Sequence, residues 1–202
     1  AATTEFLESL KFPLNFFDYE AYAPAIPAFN GYHPYKFIPF QFSLHILREP
    51  DGELEHVEFL HEEFSDPSEL VALKLEKVYT GGSVIVWHET FEKTFINANI
   101  AQRLPQYAAF FDRFNGAMVD LEKLFLAQHY IHHGFRGRTS IKKVLPVLAP
   151  EFSYAALEIH EGGQASNEWW RMVAPTTSPE QKKEIAKNLK EYCGLDTMAM
   201  YA

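Results

Sequence analysis

Three pairs of residues have the types and spacing to do chemistry. Asp18 and Glu20 close an apolar run, Phe12 to Asp18, that reads as the first strand. Residues two apart on a strand share a face, so both carboxylates can reach one cation. Glu89 and Glu92 lie just past a second apolar run, Ser83 to Trp87, outside a strand end, where open sheets place their ligands. Tyr192 and Asp196 are four apart near the end of a long helical segment and therefore share a helix face. Each pair also has a plain structural reading. The Asp-x-Glu spacing recurs at Asp51–Glu53, in a turn, and at Asp120–Glu122, and a chain with 27 acidic residues produces it by chance. Glu89 and Glu92 suit the first turn of a helix, where the helix dipole favours acids. Asp196 reads equally as a surface acid beside a core tyrosine.

The elements that must position these residues are legible in outline. Phe40, Phe42 and Leu44 alternate with Gln41, Ser43 and His45, the period of a half-buried strand. Glu49-Pro50-Asp51-Gly52 marks a turn, and Leu54 to Leu60 reads as a strand pairing back. Asp66 and Pro67 open a helix that Gly81-Gly82 ends. Phe91 to Leu104 and Pro105 to Gly116 read as helices, and Ala117 to Leu121 as a short fifth strand. Helices are expected again over Leu121 to Tyr130, Ser140 to Leu148 and Ala165 to Val173. The last helix starts at Ser178-Pro179-Glu180-Gln181, a capping pattern. This order predicts one α/β domain, residues 1–202, in which a mixed sheet is flanked by helices. Its long connections are Tyr22 to Pro39 and Ala149 to Gly163.

A 47% hydrophobic composition is enough for a real core. The single cysteine, Cys193, excludes an intramolecular disulfide and points to a reducing, cytoplasmic setting. No run approaches the roughly 20 apolar residues that span a bilayer, and Ala1 to Leu10 lacks the pattern of a secretory signal. A net charge of −9 argues against nonspecific adhesion to nucleic acid. Acids gathered at a metal site would contribute to that total and be neutralised by cations. Arg136, Arg138, Lys142 and Lys143 run the other way, as candidate contacts to a phosphate backbone or as a solvated face. His129 and His133 have zinc-compatible spacing, but no third ligand is clearly placed. Tyr22, Tyr32, Tyr35 and Phe37 read as core or as base-stacking residues, as do Trp169 and Trp170.

Taken together, the acid-bearing segments resemble the three exonuclease motifs of the DEDD superfamily, the proofreading 3′–5′ exonucleases and their relatives. Phe17-Asp18-Tyr19-Glu20 resembles the first motif, and Val86-Trp87-His88-Glu89-Thr90-Phe91-Glu92 the second. Tyr192-Cys193-Gly194-Leu195-Asp196 resembles the third in its tyrosine form. Val119-Asp120-Leu121 and Arg138-Thr139-Ser140-Ile141 stand where the superfamily has a strand ending in Asp and a helix start. More narrowly, the stretches Pro34 to Phe42, Ser140 to Pro146 and Tyr192 to Met200 resemble an uncharacterised bacterial family. The members of that family are longer and carry this domain at the C-terminal end.

The resemblance implies an RNase H-like fold, with the first three strands antiparallel and the following ones parallel. It implies two Mg²⁺ or Mn²⁺ ions, with Asp18 bridging both. Glu20 and Asp196 would hold the ion that carries the attacking water, Glu92 would support the second, and Tyr192 would position that water. The implied substrate is the 3′ end of DNA or RNA, and the implied partners include other domains of a parent chain. One departure is that Glu92 stands where the superfamily has Asp, and Glu89 where it has Asn. Two other readings use the same fold: a catalytically inactive module that binds nucleic acid or docks a domain, and an endonuclease with the same metals.

Overall fold

The computed structural model describes residues 2–202. Strand β1 (Leu14–Tyr22) organises the sheet. It pairs antiparallel with β2 (Ile38–Leu47), which pairs antiparallel with β3 (Leu54–Leu60). On its other side β1 runs parallel to β4 (Val84–Val86), itself parallel to β5 (Met118–Asp120). The order β3-β2-β1-β4-β5 is the mixed sheet the resemblance implies, three antiparallel strands followed by parallel ones, with helices on both faces.

Strand alternation divides the chemistry between the two faces. Phe17 and Tyr19 join Phe42, Leu44, Val84 and Val86 on the face packed by α2 (Ser68–Val78), α3 (Ala98–Arg103) and α4 (Ala108–Gly116). Asp18 and Glu20 lie opposite Ser43 and Gln41 on β2. That polar row is covered by α7 (Gly162–Val173) and α8 (Pro179–Tyr201). The Ser178–Gln181 capping box forms as expected. Trp169 belongs to the core: it is fully buried, stacks on Phe40 at 4.7 Å and donates its ring N–H to the His61 carbonyl at 2.7 Å. A short α1 (Ala2–Glu8) precedes the sheet, and α5 (Glu122–Leu126) and α6 (Ile141–Leu148) follow β5. Among the described residues no helix is long and apolar enough to cross a membrane.

Several boundaries differ from the sequence expectation. β1 continues past Asp18 to Tyr22, because pairing with β2 persists through Tyr22–Ile38 after a register shift at Glu20/Ala21. The acids therefore sit inside the strand. The expected helix Leu121 to Tyr130 stops at Leu126, with Gln128 left-handed at φ 58°. Leu126 and Ile131 are exposed, so a longer helix would have no core to pack against. The segment over Phe91–Asn97 forms π-helical turns before α3; such wide turns are rare and concentrate at functional sites. Helix α2 ends at Val78, ahead of the two glycines. Gly82 serves instead as a close-approach point: at φ +79°, a Cβ there would sit 1.9 Å from the Pro13 carbonyl oxygen. Gly82→Ala should cost about 3 kcal/mol or more, since the backbone strain and the clash add. A lowered denaturant midpoint at unchanged slope would show it.

Candidate functional site

Because β1 and β4 are parallel, their carboxyl ends lie at the same edge of the sheet. The turn leaving β4 therefore delivers Glu92 toward Asp18. That turn is held by Asp120, whose carboxylate accepts the N–H groups of His88 at 3.0 Å, Glu89 at 3.2 Å and Glu122 at 3.0 Å. It has to be held, because His88 is left-handed at φ 75°, a costly conformation for a non-glycine residue. Helix α8 crosses the same face and brings in Tyr192, Cys193 and Asp196. Its rotation is set by the Thr197 hydroxyl, 2.8 Å from Ser43 Oγ and 2.8 Å from His45 Nδ1.

Four of the five residues expected at the site line one cavity, and the fifth, Glu92, is near enough to feel the charge of Asp18. Asp18, Glu20, Tyr192 and Asp196 line a cavity of about 410 Å³, walled by apolar side chains including Phe37 and Trp87. Glu92 is not among the lining residues; it is 1% exposed, with Oε2 bonded to nothing. Donor atoms of Asp18, Glu20 and Cys193 lie within 4.8 Å of one another.

The electrostatics follow from burial and like charge. Burial, then the neighbouring Asp196, drives Asp18 well above the usual carboxylate range. Burial, then Asp18 and Asp196, does the same to Glu20. Glu92 rises well above its ordinary value through burial and then Asp18. Asp196 is pushed up to about 6 by burial, against hydrogen bonds from Tyr154 and Tyr192 and the charge of Lys142. Burial also raises the Cys193 thiol and, with Asp196, both tyrosines. These groups cannot all ionise together without a cation among them.

One cation is built in. Lys142 was grouped with Arg136, Arg138 and Lys143 as a phosphate contact, but its ammonium donates to Tyr192 OH at 2.6 Å and to the His160 carbonyl at 2.7 Å. It also lies over the Tyr192 and Tyr154 rings. Lys142 is therefore part of the acidic site. Arg136, Arg138 and Lys143 are exposed along an adjoining groove of about 570 Å³, and none of the three forms an ion pair among the described residues.

Other sequence candidates fall outside the site. Glu89 is tied up by Lys93 and Lys123. Tyr32 bonds Asp66 and Ser68 beneath the Arg103 guanidinium, a structural contact. Asp51 and Glu53 are exposed in their turn, and His129 is exposed on the loop after α5. Two residues went unread, and a third was read only through the resemblance. Tyr154 donates its hydroxyl to Asp196 from what looked like plain loop. Asp120, in an Asp-x-Glu pair that resembled chance, was read through the resemblance as an Asp ending a strand, and what went unread is that it holds the turn leaving β4. Cys193 lay within the third motif, and its spacing from Tyr192 and Asp196 carried no hint of its neighbours.

No curated protein and no solved structure matches this chain. A family profile described as "Domain of unknown function (DUF2779)" matches residues 15–140, which include Asp18, Glu20, Glu92 and Asp120 and stop short of α6 and α8. As that match spans more than half of the sequence, the chain belongs to the DUF2779 family.

Proposed function

We propose that this protein is a metal-dependent 3′–5′ exonuclease acting on DNA or RNA with two Mg²⁺ or Mn²⁺ ions, in a cytoplasmic setting. The observation that carries the reading is that Asp18, Glu20 and Asp196 line one cavity, while Glu92 is buried within reach of the charge of Asp18 with one oxygen left unbonded. A buried acceptor without a partner is costly, and a cation among the four acids would satisfy it. The donors are mainly carboxylate oxygens, the set that hard divalent ions take. Glu is one methylene longer than Asp, which extends the reach of the buried Glu92 carboxylate toward Asp18. Asp18, central to the cluster, would be shared between two ions, with Glu20 and Asp196 on one side and Glu92 on the other. Bound there, such ions lower the pKa of water and offset charge on the leaving oxygen.

The protein's own groups have distinct parts. Four acids against one lysine repel a phosphodiester, so substrate and cation must enter together. Tyr192 OH, oriented by Lys142 and close to Asp196, faces the cavity where it can hold a water. Asp120 and Thr197 keep the Glu92 turn and α8 in register. Arg136, Arg138 and Lys143 offer unpaired charge to the backbone of the strand that follows the terminal nucleotide. The apolar walls, Phe37 and Trp87, suit the face of a terminal base.

The test is incubation of the purified protein with end-labelled DNA and RNA in Mg²⁺, Mn²⁺ or EDTA. A ladder shortening from the 3′ end, abolished by EDTA, is expected. Internal cuts would make it an endonuclease, and binding without cleavage in any metal would make it an inert module.

A further inference from the structure

We infer that Cys193 is a ligand at the Asp18–Glu20 position, making that position selective for a thiophilic divalent ion such as Zn²⁺, Cd²⁺ or Co²⁺ over Mg²⁺. This rests on the proposed reading of the acid cluster as a metal centre, and it sets which ion one of the two positions prefers. A buried cysteine ordinarily packs as a small hydrophobe among apolar neighbours. Cys193 is fully buried, yet its sulfur lies with carboxylate oxygens of Asp18 and Glu20, all within 4.8 Å of one another. Ligands around a single tetrahedral ion lie about 3.3–3.8 Å apart, so a small inward shift of these side chains closes such a site.

The sulfur has little else to do. Its hydrogen-bond contact among the described residues is a weak 3.9 Å approach to the Asp18 carbonyl. Glu20 is 5% exposed, and its side chain makes no hydrogen bond among the described residues. Independently, Glu92 Oε2 is buried and unbonded, and Glu92 feels the charge of Asp18. An oxygen-and-sulfur donor set disfavours Mg²⁺, which demands oxygen ligands in octahedral array, and favours softer ions. The Glu92 side of Asp18 has oxygen donors alone, so the two positions differ in kind. Binding exchanges the thiol proton for the ion: the S–H bond breaks, a sulfur–metal bond forms and the proton passes to the buffer. No oxidation is involved.

Co²⁺ titration of the purified protein reads the sulfur directly, through thiolate-to-cobalt charge-transfer absorption in the near ultraviolet. The band is expected in the native chain and absent in Cys193→Ser. Zn²⁺ affinity, by calorimetry, should fall roughly tenfold or more in that variant, since even outer-shell partners of metal ligands contribute that much. Mg²⁺ affinity should be unchanged. Co²⁺ bound without the band, or Zn²⁺ affinity unaltered in a folded Cys193→Ser, overturns the inference; should the variant not fold, the native spectrum alone decides. Hydrolysis of end-labelled strands with no thiolate band leaves the nuclease reading standing and removes this one. A thiolate band with no hydrolysis does the reverse.

Discussion

Asp18→Asn should abolish metal-dependent hydrolysis and, in EDTA, make the protein more stable. The two effects have one cause. Asp18 stands among Glu20, Glu92 and Asp196, and its charge is opposed by burial and by theirs. An amide of the same shape removes that repulsion, which should stabilise the metal-free fold by about 1–2 kcal/mol and raise the unfolding midpoint by a few degrees. The same change removes the carboxylate best placed to be shared between two ions. Losing the transition-state stabilisation of a bridging ligand, roughly 4 kcal/mol, lowers the rate about 10³-fold. Product release from an end-labelled strand and thermal unfolding in EDTA measure the pair. A purely structural Asp18 would lower both stability and activity, so opposite signs are the diagnostic result. Hydrolysis retained within tenfold would remove Asp18 from the mechanism.

The second large effect is in pH. The ordinary value for Asp196 is 3.8, and burial carries it up to about 6 in the folded protein. The folded state thus binds this proton more tightly than the unfolded chain. Asp196 contributes favourably at pH below 3.8, and the contribution is lost as pH climbs through 6, a change of roughly 3 kcal/mol. Asp18, Glu20 and Glu92 act in the same direction. His45 acts in the opposite one: burial, then His56, lowers it to about 4, so it favours folding as pH rises toward 6.5. His61, also lowered by burial, does likewise. The difference between native protein and Asp196→Asn separates the carboxylate from the histidines. The variant's stability advantage in EDTA should grow by about 2.4 kcal/mol between pH 4 and pH 7. Mn²⁺ should recover most of the deficit of the native chain at pH 7.5 and little at pH 5, where protons compete for the same oxygens. Denaturant titrations across that range check it, and a pH-independent difference would place Asp196 in solvent.

Much of this molecule is written in local pattern. The turn at Glu49–Gly52 and the Ser178–Gln181 capping box involve neighbours a few residues apart and formed as read. The alternation over Phe40–His45 located a strand but not a half-buried one, because α8 also covers its polar face and Gln41, Ser43 and His45 are buried. The spacing of Asp18 from Glu20 and of Tyr192 from Asp196 needs only the geometry of a strand and of a helix, so the shared faces were legible as well. What only tertiary structure decided is which partners those faces meet. Asp120 reaches His88 and Glu89 across 31 or 32 residues, Tyr154 reaches Asp196 across 42 and Lys142 reaches Tyr192 across 50. An exposed first-turn helix acid and a buried Glu92 near Asp18 have the same local sequence. The difference between them arises only when β4 lies parallel to β1 and α8 closes over both. Burial and like charge then shift the carboxylates, because a charge responds to everything within several ångströms, whatever its distance along the chain.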